Sequence, residues 1–254
     1  MLKINEIICS FRLPIINDRF ENYIFLDINK FNKPPEASFD NPVKHKKLII
    51  VGDQGTGKTT LDRALAYKAI KLYGVQNVNA VRANNISDLL LYGLNKQLVQ
   101  FNFVDDYTLA TEDKDMIRAY FKIREIWKHI YKITNGLIIS VYSLHRFHAS
   151  LKEIRGTANV VIIKSDSISE YDHRIIKSYI GEEGESDLKL IEAYRDDYPE
   201  LMDYGIVHTR TGETGLIKYP YTNENCLTNI DMAYKKSIPF ADVCLKNSNI
   251  RGML

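Results

Sequence analysis

The stretch Lys47–Thr60, KLIIVGDQGTGKTT, constrains this chain more than any other. Leu48 to Val51 form a short apolar run, the mark of a strand buried on both faces. Gly52 to Thr59 then reads G-x-x-x-x-G-K-T, the full phosphate-loop, or Walker A, pattern. Gly52, Gly55 and Gly57 admit backbone angles that a Cβ resists, so successive N–H groups can turn inward around phosphate. The helix that follows adds the positive end of its dipole. Lys58 has the reach for the β- and γ-phosphates, and the Thr59 hydroxyl is a ligand for Mg²⁺. With Asp53, Gln54, Thr56 and Thr60 these residues make up the expected nucleotide-binding set.

A second landmark is QLVQFNFVDD, Gln97–Asp106, in which apolar residues lead to two acids at a strand end. This is the Walker B partner that a phosphate loop needs for metal-assisted phosphoryl transfer. Asp105 is expected to orient Mg²⁺ through its water shell, and Asp106 to polarise the attacking water. ATP and Mg²⁺ are therefore the expected cofactors; the lack of a base-reading N-K-x-D favours adenine over guanine.

Other strands and helices arrange themselves around these two landmarks. The helical spacing of Leu61, Leu65, Ala69 and Leu72 predicts a helix to Tyr73, with Gly74 as its stop. Val78–Ala83 reads as a strand, Ser87–Leu94 as a short helix, and Glu112–Lys132 as the longest helix, with Trp127 in its core-facing stripe. GLIISVYS, Gly136–Ser143, is a further buried strand whose polar tip, Ser140 or Ser143, is a candidate γ-phosphate sensor. Arg146 and Arg155 are candidates for a charge-stabilising arginine, acting in the same subunit or on a neighbour's nucleotide. His145 and His148 lack the further ligands that zinc demands. Asn159–Lys164 is a strand; Ser165–Ile180 and Asp187–Tyr194 read as helices separated by a solvated GEEGES turn. Two alternating segments around TGETG, within Tyr204–Pro220, predict a β-hairpin.

Upstream, Lys3–Phe11 and Tyr23–Ile28 look like strands, and Asn32–Pro42 like a loop. The expected division is a β-rich segment over 1–45 packed on the core, a P-loop ATPase domain over 46–220, and a C-terminal tail over 221–254. The formal net charge of +2 excludes a globally polybasic nucleic-acid binder, so any such contact needs a local patch or a ring of subunits. Three widely spaced cysteines, Cys9, Cys226 and Cys244, suggest a reducing compartment rather than a disulfide framework. No apolar run is long enough for a spanning helix, and the expected setting is cytoplasmic. The fold class expected is α/β: a P-loop NTPase of the RecA-like, or ASCE, kind. Its mostly parallel sheet is flanked by helices and carries added antiparallel strands.

The order of these parts resembles the FtsK/HerA superfamily of DNA-pumping ATPases. Within it, the chain is most similar to the genome-packaging ATPases of membrane-containing and archaeal viruses. The resembling residues are Gly52–Thr60, Phe103–Asp106, Ile138–Arg146 and Ile154–Lys164, spread over roughly residues 45 to 220. The first of these motifs is specific for nucleotide binding but not for this family; the last two are distinctive and loose. The resemblance implies an ATP-driven pump of double-stranded DNA, assembled as a ring, commonly a hexamer. It implies virion or portal proteins as further partners, in the host cytoplasm or the virion. It also implies an arginine working across subunit boundaries, and Arg155 in EIRGTAN is the position that carries over. Two departures stand out. The family's glutamine at the sensor tip is missing, so that Ser140 or Ser143 has to take its place, and the acid pair ends in aspartate where many relatives use glutamate.

Two rivals fit parts of the pattern. An AAA+ replication initiator or helicase loader shares loop, acid pair and sensor strand, but follows its last strand with a helical lid. A nucleotide-binding switch or adaptor with little turnover needs only the loop; the presence of Lys58, Thr59, Asp105 and Asp106 together speaks against it.

Overall fold

Lys44–Val51 form β1, and its burial deepens along the strand until Leu48, Ile49, Ile50 and Val51 are sealed from solvent. In the computed structural model, which describes residues 3–27, 43–83, 86, 89, 96–105, 122–133, 135–147, 152–165 and 169–219, this strand lies inside a seven-stranded sheet. The other strands are β2 (Val78–Ala83), β3 (Val99–Val104), β4 (Leu137–Leu144), β5 (Val160–Ile163), β6 (Tyr204–Thr209) and β7 (Thr214–Lys218). Their order across the sheet is β2-β3-β4-β1-β5-β6-β7. The β2–β3, β3–β4 and β1–β5 pairs are parallel, while β5–β6 and β6–β7 are antiparallel. The expected α/β fold, a mostly parallel sheet with an added antiparallel hairpin, is the fold observed. Every residue of β3, β4 and β5 is buried, as parallel strands covered on both faces require.

The chain divides into two compact units. The first draws its described residues from 3–24, 48–64 and 143–219. In it the N-terminal segment is helical, α1 (Ile4–Cys9) and α2 (Asn17–Ile24), not the pair of strands expected at Lys3–Phe11 and Tyr23–Ile28. The β-rich lead-in over 1–45 is therefore corrected to helices over its described N-terminal part. The reason is spacing: Ile16, Phe20 and Ile24 recur four apart and are all buried, a helical stripe that β-branched content had masked. Phe25 to Asp27 continue without regular structure, and the Asn32–Pro42 loop lies outside the described residues.

Asp187 fixes the linker between these helices. Its fully buried carboxylate accepts hydrogen bonds from Arg12 N–H at 2.9 and 3.1 Å and from Leu13 N–H at 2.9 Å. Asp187→Ala removes the acceptor for both amides and is expected to cost about 3 kcal/mol in unfolding free energy. Urea denaturation of the variant beside the parent tests this, and an unchanged midpoint would remove the carboxylate from the stability account.

Asp187 belongs to a long helix of the same unit, Glu170–Tyr194. It was expected as two helices parted by a six-residue turn. The break is instead at Gly181 alone, with φ 69° and ψ −173°, and the helix resumes at once. Glu182, Glu183 and Glu185 thereby fall near the positive end of the resumed segment, where acidic side chains are favoured. A 3₁₀ turn, Pro199–Asp203, leads into β6.

The second unit takes its described residues from 25–47 and 65–142. Trp127, on the helix Ile123–Tyr131, is fully buried, in keeping with a core role. The earlier part of the long helix expected over Glu112–Lys132 lies outside the described residues. So does Ser87–Leu94, apart from a buried Leu89. A polar ladder runs through this unit's interior. Asn79 Nδ2 donates to Gln100 Oε1 at 2.7 Å, and Gln100 Nε2 to Asn102 Oδ1 at 2.5 Å.

The helix Lys58–Tyr73 ends where expected, at Gly74 with φ 81°, and starts one residue before the expected Thr59. Its apolar stripe is Leu61, Leu65, Ala66, Ala69, Ile70 and Tyr73; Leu72, expected in that stripe, is exposed.

Numbered in chain order, the remaining helices are α3 (Lys58–Tyr73), α4 (Ile123–Tyr131), α5 (Lys152–Thr157) and α6 (Glu170–Tyr194).

Candidate nucleotide site

The phosphate-loop sequence lies where β1 passes into α3. Gly52 N–H donates to Leu144 O at 3.1 Å, which ties the start of the loop to the end of β4. A Cβ on Gly52 would stand 2.7 Å from Thr56 Oγ1 and 3.0 Å from Lys164 Cβ, so only glycine allows the turn to close this tightly. Gly55 and Gly57 have φ of 80° and 82°, the left-handed region that favours glycine. The three glycines thus sit where the motif's mechanics demand them. Thr56 Oγ1 closes the loop on itself by donating to Asp53 O at 2.8 Å.

Lys58 is buried, and its ammonium is held by the loop it serves. Nζ donates to Gly52 O at 2.6 Å and to Asp53 O at 2.7 Å, with His145 Nδ1 at 3.4 Å. Lys58, Thr59 and Thr60 form the first turn of α3, whose N–H groups have no partner within the helix. The positive end of a sixteen-residue helix therefore opens at this loop.

Two residues after β5 brace the loop from behind. Ser165 Oγ accepts from Asp53 N–H at 2.7 Å. Lys164 is wholly buried, and Nζ donates to Met202 O and to Tyr204 O. Burial pushes the Lys164 ammonium down from 10.5 to about 7, with the charge of Asp203 opposing that shift. Met202 O and Lys164 Cε would lie 3.2 Å and 3.8 Å from a Cβ on Gly57, so the lysine and the 3₁₀ turn form a floor under the loop. Sequence reasoning passed over both residues. The available signal was a charged and a hydroxyl residue directly after a fully apolar parallel strand, the sheet edge at which α/β folds place ligands.

The two sensor candidates part company. Ser143, one residue before the end of β4, has a fully buried Oγ without a hydrogen-bond partner among the described residues. Ser140 lies inside β4 rather than at its tip, opposite Asn102 of β3, and its Oγ pairs with His45 Nε2 at 2.9 Å. Burial, with help from the charges of Lys47 and Arg124, lowers the His45 pKa to about 3, so the ring is neutral.

Asp105 follows β3 and belongs to the second unit, where its carboxylate forms an ion pair with Arg82 at the end of β2. The Arg82 guanidinium also lies 5.9 Å from the Phe103 ring centroid. Arg82 had no mark in VNAVRA to single it out. Asp106 and His148 lie outside the described residues. Arg146 is exposed. Arg155, on α5, rests 5.9 Å over the Phe147 ring and donates to Phe147 O at 3.4 Å. α5 precedes the start of β5, whereas the loop contacts come after that strand's end; within one chain the structure therefore does not bring Arg155 to the loop.

Comparison with known proteins bears on this arrangement. The family model described as "Novel STAND NTPase 3" matches residues 36–174, more than half of the chain, from before the loop to the start of α6. No curated protein matches. Among solved structures, the genome packaging NTPase B204 from Sulfolobus turreted icosahedral virus 2, in complex with AMPPCP, is similar at 12% identity and a TM-score of 0.42, covering 69% of this chain and 98% of its own. The complex of the same protein with ATP-gammaS gives 13% identity and a TM-score of 0.42, over 72% and 100% of the two chains. B204, the DNA-packaging ATPase from Sulfolobus Turreted Icosahedral Virus, gives 11% identity and a TM-score of 0.42, over 70% and 98%.

Proposed function

The chain belongs to the Novel STAND NTPase 3 family, and from that premise we propose that it is an ATP-dependent translocase of double-stranded DNA, of the FtsK/HerA kind, working as a ring. The observation that carries the choice is the β6–β7 hairpin. It follows α6 and extends the parallel strands antiparallel beyond β5, at the place where a loader ATPase carries a helical lid.

In this reading the amides of Gly52 to Thr60 hold the triphosphate, and Lys58 stabilises charge on the β- and γ-phosphates. Mg²⁺ asks for one or two protein oxygens and fills its shell with phosphate and water. The chain's donors are of that type: the Thr59 hydroxyl, half-exposed at the head of α3, and the Asp105 carboxylate. Among the described residues no cluster of His, Cys, Asp and Glu forms an all-protein cage, which Mg²⁺ does not need. When bound, the ion neutralises charge developing on the phosphates. Asp106 orients the attacking water, and Arg82 holds the neighbouring Asp105 carboxylate in place. Ser143, with its unsatisfied hydroxyl at the end of β4, is the better of the two sensor candidates. Arg155 acts on the nucleotide of an adjacent subunit. No helix among the described residues is long and apolar enough to cross a membrane, and the reading needs none.

The test is turnover of Mg-ATP alone, with single-stranded DNA and with duplex. Stimulation of at least about tenfold by duplex is the expected result, since an idling motor wastes nucleotide. A preference for single strands would transfer the chain to the loaders, and binding without turnover would make it a switch.

A further inference from the structure

A cavity of about 250 Å³ opens at the start of β5, lined among others by Arg155, Asn159, Val161, Tyr179, His208 and Arg210. It is not the phosphate-loop site. The loop is braced by Lys164 and Ser165, after the other end of β5, at least a strand's length of roughly 10 Å away.

The wall of this cavity is built. Arg155 lies on the Phe147 ring, Phe147 meets Tyr179 edge to face at 5.3 Å, and Tyr179 meets His208 in the same way at 5.3 Å. His208 Nδ1 in turn pairs with Thr214 Oγ1 at 2.9 Å. His208 faces Val161 across the β5–β6 register. Arg210 begins the hairpin turn, and its backbone N–H is anchored on Asn159 O at 2.9 Å. The Arg210 side chain is exposed. Two arginines thus line one cavity from separate elements, α5 and the β6–β7 turn. Among the described residues that line the cavity none is a carboxylate that would neutralise them.

We propose that this cavity is a second phosphate-ester site, separate from the phosphate loop, with Arg155 and Arg210 as its paired anion receptors. Guanidinium forks match phosphate oxygens in geometry, and two of them match the charge of a phosphate monoester, about −1.5 to −2 at neutral pH. Tyr179, which also lines the cavity, carries a hydroxyl donor. The ester has two possible sources with this chemistry: the nucleotide held by a second copy of the chain, or the backbone of a duplex. The first source rests on the ring reading above and the second on the pump reading, whereas the site itself rests on neither.

Direct binding tests it. In a Lys58→Ala background, which weakens the loop, pyrophosphate, ATP and a short duplex are titrated by calorimetry, each with and without Arg155→Gln plus Arg210→Gln. The double replacement is expected to weaken pyrophosphate binding by about tenfold or more. A matching loss for ATP identifies the nucleotide as the source, and one for duplex identifies the backbone. If Arg155→Gln fails to fold, Arg210→Gln alone, at an exposed side chain, is expected to weaken binding about threefold. Pyrophosphate binding that ignores both arginines, or that is no tighter than succinate binding, overturns the proposal. The readout needs no turnover, so a chain that fails as a motor still passes or fails here.

Discussion

Lys58→Ala should lower Mg-ATP turnover by roughly 10³-fold, the scale on which a single preorganised charge at the reacting phosphate acts. The geometry explains why the loss should be large. Lys58 is 6% exposed, so its charge acts where water screens little. Its ammonium also holds Gly52 O and Asp53 O at 2.6 and 2.7 Å, the two carbonyls on which the loop's curvature closes. Alanine therefore removes a charge from the reaction and two bonds from the resting loop. The two effects separate by measurement. Single-turnover rates at saturating nucleotide report the charge, while thermal melting without nucleotide reports the loop. Turnover within tenfold of the parent would remove Lys58 from the mechanism, whatever happened to the melting temperature.

How much of this was legible beforehand follows the range of each interaction. The strand–loop–helix turn around Gly52–Thr59 was legible because its mechanics are local: three glycines, a lysine and a threonine within eight residues, between an apolar strand and a helix. The hairpin was legible for the same reason, as alternation on both sides of Thr211–Gly215 fixes register without help from elsewhere. The N-terminal helices were not. Segments of six and eight residues carry too few turns for a helical period to stand out, and what packs on Phe20 is Tyr219, distant in sequence. Nor were the partners of the site residues legible. Arg82 is 23 residues from Asp105, and Ser165 is 112 from Asp53; each bond depends on sheet order, which no short pattern encodes. The acid pair was readable as a motif, whereas the ion pair on Asp105 was not. Ser140 and Ser143 looked equivalent until the strand was seen to run on to Leu144, which leaves one hydroxyl inside the sheet on His45 and the other at its end.

Lys164 should give the fold a pH dependence that Lys164→Met lacks. The group's pKa falls from 10.5 in the unfolded chain to about 7 in the folded one. Between those values the unfolded chain binds a proton that the folded chain does not, so stability rises with pH across the window. Below about 7 both states are protonated, and the penalty of burying the charge is complete and constant. A displacement of this size corresponds to about 5 kcal/mol at its fullest extent. Methionine keeps much of the side-chain length and removes the titration, although Met202 O and Tyr204 O lose their donor. The comparison is therefore made on slopes rather than absolute values. From pH 7 to pH 10 the parent should gain about 4 kcal/mol of unfolding free energy relative to the variant, read from urea curves at each pH. Parallel curves would mean that the ammonium reaches water in the folded state. The placement makes the result matter for the loop. Lys164 joins the end of β5 to Met202 and Tyr204, and together with Met202 it lies beneath Gly57. A change in its charge is thus felt on one side at Gly57 of the loop between β1 and α3 and on the other by the first residue of the β6–β7 hairpin.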